Sequence, residues 1–75
     1  MVELTKLKKE ENATIVELTG GNEFLSRMAS LGLTKGATIK IMQNYGKGPI
    51  IVLVRNTRIA LGRGEAGKIL VETNE

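Results

Sequence analysis

Short runs of hydrophobic residues, some of them alternating with polar ones, recur along this chain, and glycines lie between the runs. Such alternation is typical of strands that bury one face and expose the other. It predicts five strands, at residues 13–18, 38–43, 50–54, 58–61 and 68–72. Upstream of them, Leu4 and Leu7 are expected to fill part of the core from an N-terminal extended segment.

One segment has the periodicity of a helix instead. Phe24, Met28 and Leu31 stand at positions i, i+4 and i+7, so they would share one face of a helix at about residues 22–31. Leu25 would widen that apolar face. Since an amphipathic helix buries its apolar face, we interpret Met28 as a core residue rather than a metal ligand.

The ends of this helix are marked by residues with particular backbone preferences. Asn22 is suited to cap the first turn with its side-chain oxygen. Gly32 is suited to a left-handed conformation that ends the helix and folds Leu33 back onto it. A further helical turn is expected near residues 64–67, between the last two strands.

Five short strands and one short helix predict a mostly β fold, a small β-barrel formed by residues 1–75 as a single domain. A rolled sheet buries one face and removes exposed edges with few residues. An open ferredoxin-like sandwich would need two long helices, and this sequence has room for only one.

The hairpin between the third and fourth predicted strands carries the main candidate site. A turn at residues 56–57 would place Arg55 opposite Arg58, and it would leave Ile51 and Leu53 on the face away from the core. These four residues would form an apolar patch with a basic rim, a surface suited to binding a protein. The alternatives are that a loop or the helix covers the patch, or that the register differs by one residue.

Charge is unevenly distributed along the chain, whose net charge is +3. Residues 37–63 contain no acidic residue, and their basic residues are Lys40, Lys47, Arg55, Arg58 and Arg63. A small nucleic-acid-binding β-barrel is therefore the alternative function. It is less favoured, because Tyr45 would be the single aromatic ring free for base stacking. Arg27, exposed on the helix, is a further candidate for partner contact, with a solvated helix residue as the alternative.

The residue inventory argues against catalysis and against a bound metal or cofactor. The chain has no histidine, cysteine or aspartate, and no glutamate is spaced against a nucleophile. Ser26 and Ser30 lack a base that could activate them. Soft and borderline metals prefer imidazole or thiolate ligands, which are absent. We therefore predict no enzymatic activity, no cofactor and no small-molecule substrate. The N-terminus lacks the apolar segment of a signal peptide, which indicates a cytoplasmic protein.

Nearly the whole chain, in order, resembles the FeoA family. The most specific parts are residues 27–36 (Arg-x-x-x-Leu-Gly-Leu-x-x-Gly) and residues 58–61 (Arg-Ile-Ala-Leu), the latter followed by Ala66, Ile69 and Val71. FeoA proteins are small SH3-like barrels that accompany FeoB, the bacterial membrane transporter for ferrous iron. Related barrels also form the C-terminal domains of DtxR-type repressors, but no helix-turn-helix segment precedes the barrel here, which favours a stand-alone module.

The resemblance implies a non-enzymatic accessory or regulatory protein of ferrous-iron uptake. It would act by protein–protein contact with the cytosolic part of FeoB. Its implied location is the cytoplasm, or the periphery of the inner membrane through that partner. The resemblance does not imply that this chain itself binds iron or GTP.

Overall fold

Strands are the main elements of the fold, which is described here from a computed structural model over residues 1–74. The strands are β1 (Val2–Glu3), β2 (Asn12–Leu18), β3 (Thr38–Gln43), β4 (Ile50–Val54), β5 (Thr57–Leu61) and β6 (Ile69–Thr73). The helical elements are a 3-10 turn (Leu4–Lys6), α1 (Asn22–Ser30) and α2 (Arg63–Ala66). The predicted mostly β fold is confirmed, with one short strand, β1, that the pattern did not predict.

All six strands belong to one antiparallel sheet with the order β1-β6-β2-β3-β4-β5. The ladder between β2 and β6 shifts register between Ile15 and Glu17, and the ladder between β3 and β4 shifts between Ile41 and Gln43. Such bulges bend a strand and increase its twist, which helps a sheet to roll around its own core. The strands β1 and β5 form the two edges of the sheet.

The core consists of the inward-facing residues of the strands together with residues from the connecting segments. Its fully or almost fully buried members are Leu4, Leu7, Ala13, Ile15, Met28, Leu33, Ile39, Ile41, Ile50, Val52, Val54, Leu61, Ala66, Ile69 and Val71. Among the described residues, no polar or charged side chain is buried. The predicted placement of Leu4 and Leu7 in the core is confirmed.

Only a narrow stripe of α1 packs against the barrel. Met28 is completely buried, while Phe24 and Leu31 are partly buried against the core. Leu25 remains 37% exposed, so the prediction that it widens the buried face is wrong. A helix that packs on the end of a small barrel contacts it along one line, and the neighbouring position faces solvent.

The sequence predicted the C-terminal end of α1 correctly but not its N-terminal cap. Asn22 is the first helical residue rather than the cap, because Gly21 occupies the cap position and accepts a hydrogen bond from the backbone N–H of Leu25. Gly32 does end the helix as predicted, with φ at +85°. The N–H of Leu33 donates to the carbonyl of Met28 at 2.9 Å, as in a Schellman motif, and Leu33 turns into the core.

The register of the β4–β5 hairpin differs from the predicted one. The turn consists of Arg55 and Asn56, with φ angles of 50° and 62°, and Val54 pairs with Thr57. Arg58 therefore lies opposite Leu53, and its predicted pairing with Arg55 is wrong. The turn is therefore of type I′, which needs positive φ at both positions, and asparagine tolerates this conformation whereas β-branched Thr57 does not. The shift is two residues, so every side chain stays on its predicted face.

We expect Met28→Ala to lower the free energy of unfolding by about 2–5 kcal/mol, because it removes a fully buried side chain from a small core. The matched change on the solvent side of α1, Leu25→Ala, should alter it by no more than about 0.5 kcal/mol. Urea denaturation of both variants measures these values. Equal losses would show that α1 presents a different face to the barrel.

We expect Asn56→Gly to stabilise the protein and Thr57→Gly to destabilise it, each by roughly 0.5–1 kcal/mol. Glycine adopts positive φ without strain in the turn, whereas in a strand it lacks packing and loses more backbone entropy. Urea denaturation again provides the measurement. Stabilisation by Thr57→Gly would indicate that the turn is formed by residues 56–57.

Candidate protein-binding site

The outward face of β4 carries two large apolar side chains, Ile51 and Leu53, and both are partly buried. They alternate with inward-facing residues such as Val52. Across the neighbouring strands, Leu53 faces Arg58 of β5 and Lys40 of β3. The predicted apolar patch with basic neighbours therefore exists as an arrangement of residues on this face of the sheet.

An open cavity of ≈ 480 Å³ surrounds Ile51. Its lining residues are Lys9, Glu10, Met42, Gln43, Ile51, Arg58 and Ala60. The lining combines apolar side chains with basic ones and one carboxylate. That carboxylate, on Glu10, forms an ion pair with Lys40 at 3.1 Å.

A second open cavity, of ≈ 360 Å³, lies beside Leu53. Its lining residues are Asn12, Thr38, Ile39, Lys40, Leu53, Arg55 and Asn56. Lys40 lines this cavity and pairs with Glu10, which lines the first. The two cavities therefore adjoin across the outward face of β3 and β4. We call the residues that line either cavity the outer face.

Arg55 also contacts the end of α1. A β-carbon placed on Gly32 would lie 3.4 Å from Cδ of Arg55, so the arginine side chain passes directly over this glycine. A cation at the C-terminal end of a helix interacts favourably with the helix dipole. The contact thus gives Arg55 a structural role besides its position at the rim of the outer face.

Arg27 is not brought together with the other predicted residues. Its guanidinium pairs with a carboxylate oxygen of Glu65, and it lines neither cavity of the outer face. The other oxygen of Glu65 accepts a hydrogen bond from the N–H of Gly62 at 3.1 Å, which caps the start of α2. Arg27 therefore joins α1 to α2, although its side chain is 57% exposed.

Sequence reasoning missed several residues of the outer face. Lys9 and Glu10 reach it from the loop before β2, where the N–H of Glu10 donates to the carbonyl of Ile41 at 2.8 Å. Met42 and Gln43 both line it, next to the register shift of β3. Neither the loop contact nor the bulge follows from local alternation. The sole signal in the sequence was the place of Met42 on the polar phase of its strand.

Within residues 1–74 there is no group of three or more histidine, cysteine, aspartate or glutamate side chains that could hold a metal ion. The same part of the chain contains no helix with the length and apolar character needed to cross a membrane. The chemistry available on the outer face is thus apolar contact, hydrogen bonding and attraction of negative charge.

Comparison with known proteins supports the resemblance noted in the sequence. Residues 2–73 match the family model of the FeoA domain. A curated protein of Methanocaldococcus jannaschii, named as a candidate Fe(2+) transport protein A, is 33% identical over 75 residues, which cover 100% of this chain and 90% of that protein.

Solved structures share the fold. The crystal structure of an iron uptake regulatory protein, FeoA, has a TM-score of 0.92 and 34% identity, with 97% of both chains covered. The zinc complex of FeoA from Stenotrophomonas maltophilia, described as a prokaryotic SH3 domain protein, has a TM-score of 0.83 and 25% identity, with 96% of this chain and 91% of that chain covered. The predicted SH3-like architecture is confirmed by these similarities.

Since Arg27 links two helices through a partly exposed ion pair, we expect Arg27→Ala to lower the free energy of unfolding by no more than about 1 kcal/mol. Glu65→Ala should cost more, because it also removes the hydrogen bond to the N–H of Gly62. The double variant should lose less than the sum of the two single losses. Urea denaturation at low and high salt measures all three, and strict additivity would rule out a coupled pair.

Proposed function

This chain belongs to the FeoA family, and from that premise we propose that it binds the cytosolic part of a FeoB-type ferrous-iron transporter as a non-enzymatic accessory or regulatory protein. The family is linked to ferrous-iron transport, and the Methanocaldococcus relative carries an Fe(2+) transport name. In this role the chain acts at the cytosolic side of the membrane through its partner.

The observation that carries the proposal is the outer face with Ile51 and Leu53. Every buried position of the core faces inward, and yet β4 also presents two large apolar side chains outward. Apolar residues framed by arginine are typical of the centre of protein interfaces. The adjoining cavities give a partner's side chains room to enter on either side of β4.

The charges around this face favour a partner surface with exposed carboxylates. Arg58 is exposed beside Leu53, and Lys9 stands at the rim of the cavity around Ile51. Glu10, the acidic residue of this rim, is already paired with Lys40. Complementary charge steers association and fixes orientation more than it raises affinity.

The same basic residues also suit nucleic acid, but the aromatic side chains do not suit the stacking of bases. Tyr45 is 75% exposed, whereas Phe24 packs partly buried against the core with the Lys68 ammonium 5.0 Å from its ring centroid. Single-strand binding by small barrels relies on several stacking rings. A protein partner therefore accounts better for the outward apolar side chains.

We expect Ile51→Thr and Leu53→Thr each to weaken binding to the purified cytosolic domain of the transporter by about tenfold or more, since each removes an apolar contact at the centre of the interface. Calorimetric titration gives the affinities, and thermal unfolding checks that the variants fold. Leu25→Thr is the matched control, because it makes the same kind of change at an exposed leucine of α1.

Two results would contradict the proposal. One is the absence of binding both to the isolated domain and to the full-length transporter in lipid. The other is tight, salt-sensitive binding of short oligonucleotides, which would favour the nucleic-acid function instead. A loss of affinity in Leu25→Thr equal to that in Ile51→Thr would move the interface to α1.

A further inference from the structure

The strand β5 is a free edge of the sheet. It pairs with β4 along its whole length, from Thr57 to Leu61, and within residues 1–74 no strand pairs with its other side. The opposite edge, β1, is only the dipeptide Val2–Glu3. A strand of two residues has few backbone groups with which another strand could pair, whereas β5 has five residues and offers more of them.

The turn of the hairpin determines which backbone groups of β5 point outward. In a two-residue hairpin the residues that flank the turn, Val54 and Thr57, form a hydrogen-bonded pair, and such pairs then alternate with non-bonded ones. Ile59 is consequently hydrogen-bonded to Val52. Arg58 and Ala60 occupy the non-bonded positions and direct their N–H and C=O groups away from β4.

Both of these residues are exposed. The backbone hydrogen bonds of turns, loops and caps within residues 1–74 include none to Arg58 or Ala60. Edges are protected by charged side chains, a proline, a bulge or a covering element, and of these β5 carries the charge of Arg58. The ladder between β4 and β5 is regular, and β5 contains no proline.

Each face of an added strand would meet apolar side chains. On the inner side, an open cavity of ≈ 270 Å³ separates the end of α1 from the hairpin, and Leu31 and Ile59 are among its lining residues. On the outer side stand Ala60 and Arg58, next to Ile51. An extended segment along β5 could therefore bury alternate side chains on both faces.

We propose that β5 is a docking edge, onto which an extended segment of the transporter's cytosolic part adds as a further strand. The segment would hydrogen-bond to the backbone of Arg58 and Ala60. Its apolar residues would face Leu31 and Ile59, and its acidic residues would face Arg58. This inference rests on the proposed function and specifies how the partner binds.

The positive charge on the hairpin favours a segment of the transporter over a second copy of the chain as the strand that pairs with β5. Pairing of two β5 strands about a twofold axis would bring both Arg58 side chains onto the same face of adjoining strands, where like charges repel. Arg55 at the end of the hairpin would add to this repulsion. A strand that carries carboxylates on that face turns the same geometry into attraction.

Amide hydrogen exchange of the full chain, with and without the purified cytosolic domain of the transporter, tests the backbone pairing directly. We expect exchange at Arg58 and Ala60 to slow by at least about tenfold in the complex. The amide of Ile59 serves as the internal control, because its bond to Val52 protects it already. Unchanged exchange at Arg58 and Ala60 in a saturated complex would overturn the inference.

Ala60→Pro removes one outward N–H without removing a bond to β4, because proline is tolerated where the N–H faces away from the ladder. We expect it to weaken binding of the cytosolic domain by about tenfold or more. Ala60→Thr keeps the N–H and suits a strand, so it reports the effect of a changed side chain at this position, and the proline variant should bind at least about tenfold more weakly than the threonine variant. Equal affinity of the proline variant and the unmodified chain would refute the added strand.

These results separate the two proposals. If neither the cytosolic domain nor the full-length transporter in lipid binds, the proposed function fails. If the transporter binds while the amides of Arg58 and Ala60 stay unprotected from exchange, the proposed function stands and the docking of a strand on β5 is refuted. Protection that appears with rising protein concentration and without the transporter would assign β5 to a second copy and overturn the choice of partner. Should Ala60→Pro not fold, the exchange measurement still decides.

Discussion

The size of the core constrains everything else in this protein. A chain of 75 residues without cysteine has no disulfide to offset a thin core, so it must bury one complete phase of its strands. The buried residues of that phase are all apolar, and no polar side chain is buried within residues 1–74. Because the inner face forms the core, the surfaces that the sheet leaves for contact with other molecules are the outer face and the edges.

The arginines divide between these two tasks. Arg27 pairs with Glu65 and thereby joins α1 to the capped start of α2. Arg55 lies over Gly32 at the end of α1, and its positive φ helps to form the hairpin turn. Arg58, by contrast, is exposed on β5 with no side-chain partner among the contacts of residues 1–74. The arginines thus serve partly in the scaffold and partly on the surface.

How much of the fold the sequence predicts depends on whether a feature is local. The bounds of β3 follow from alternation and those of β4 from an uninterrupted apolar run after Pro49, and Gly32 ends α1 because its backbone permits positive φ. The hairpin register was wrong by two residues because strand pairing depends on the turn, and Arg55 is an unusual residue for positive φ. Ile51 and Leu53 were nevertheless assigned to the outward face, since a shift of two preserves the face.

Other features depend on strand order and could not be read from local patterns. The cavity around Ile51 needs Lys9 and Glu10 from a distant loop, and the bulge at Met42 follows from pairing with β4. The free edge of β5 appears only once β6 is known to lie between β1 and β2. For this reason the sequence predicted the outward side chains of the candidate site but not the unpaired edge of β5.

The outer face and the docking edge meet at Arg58 and Ala60, which supply side chains to one and backbone groups to the other. Backbone pairing provides affinity that depends little on the partner's sequence, while the alternate side chains provide the selection. In the proposed complex, the edge alone would accept many extended segments, so Arg58 and the apolar side chains near Ile51 would provide the selection. The proposed outer face and docking edge can act together because they share Arg58 and Ala60 of β5.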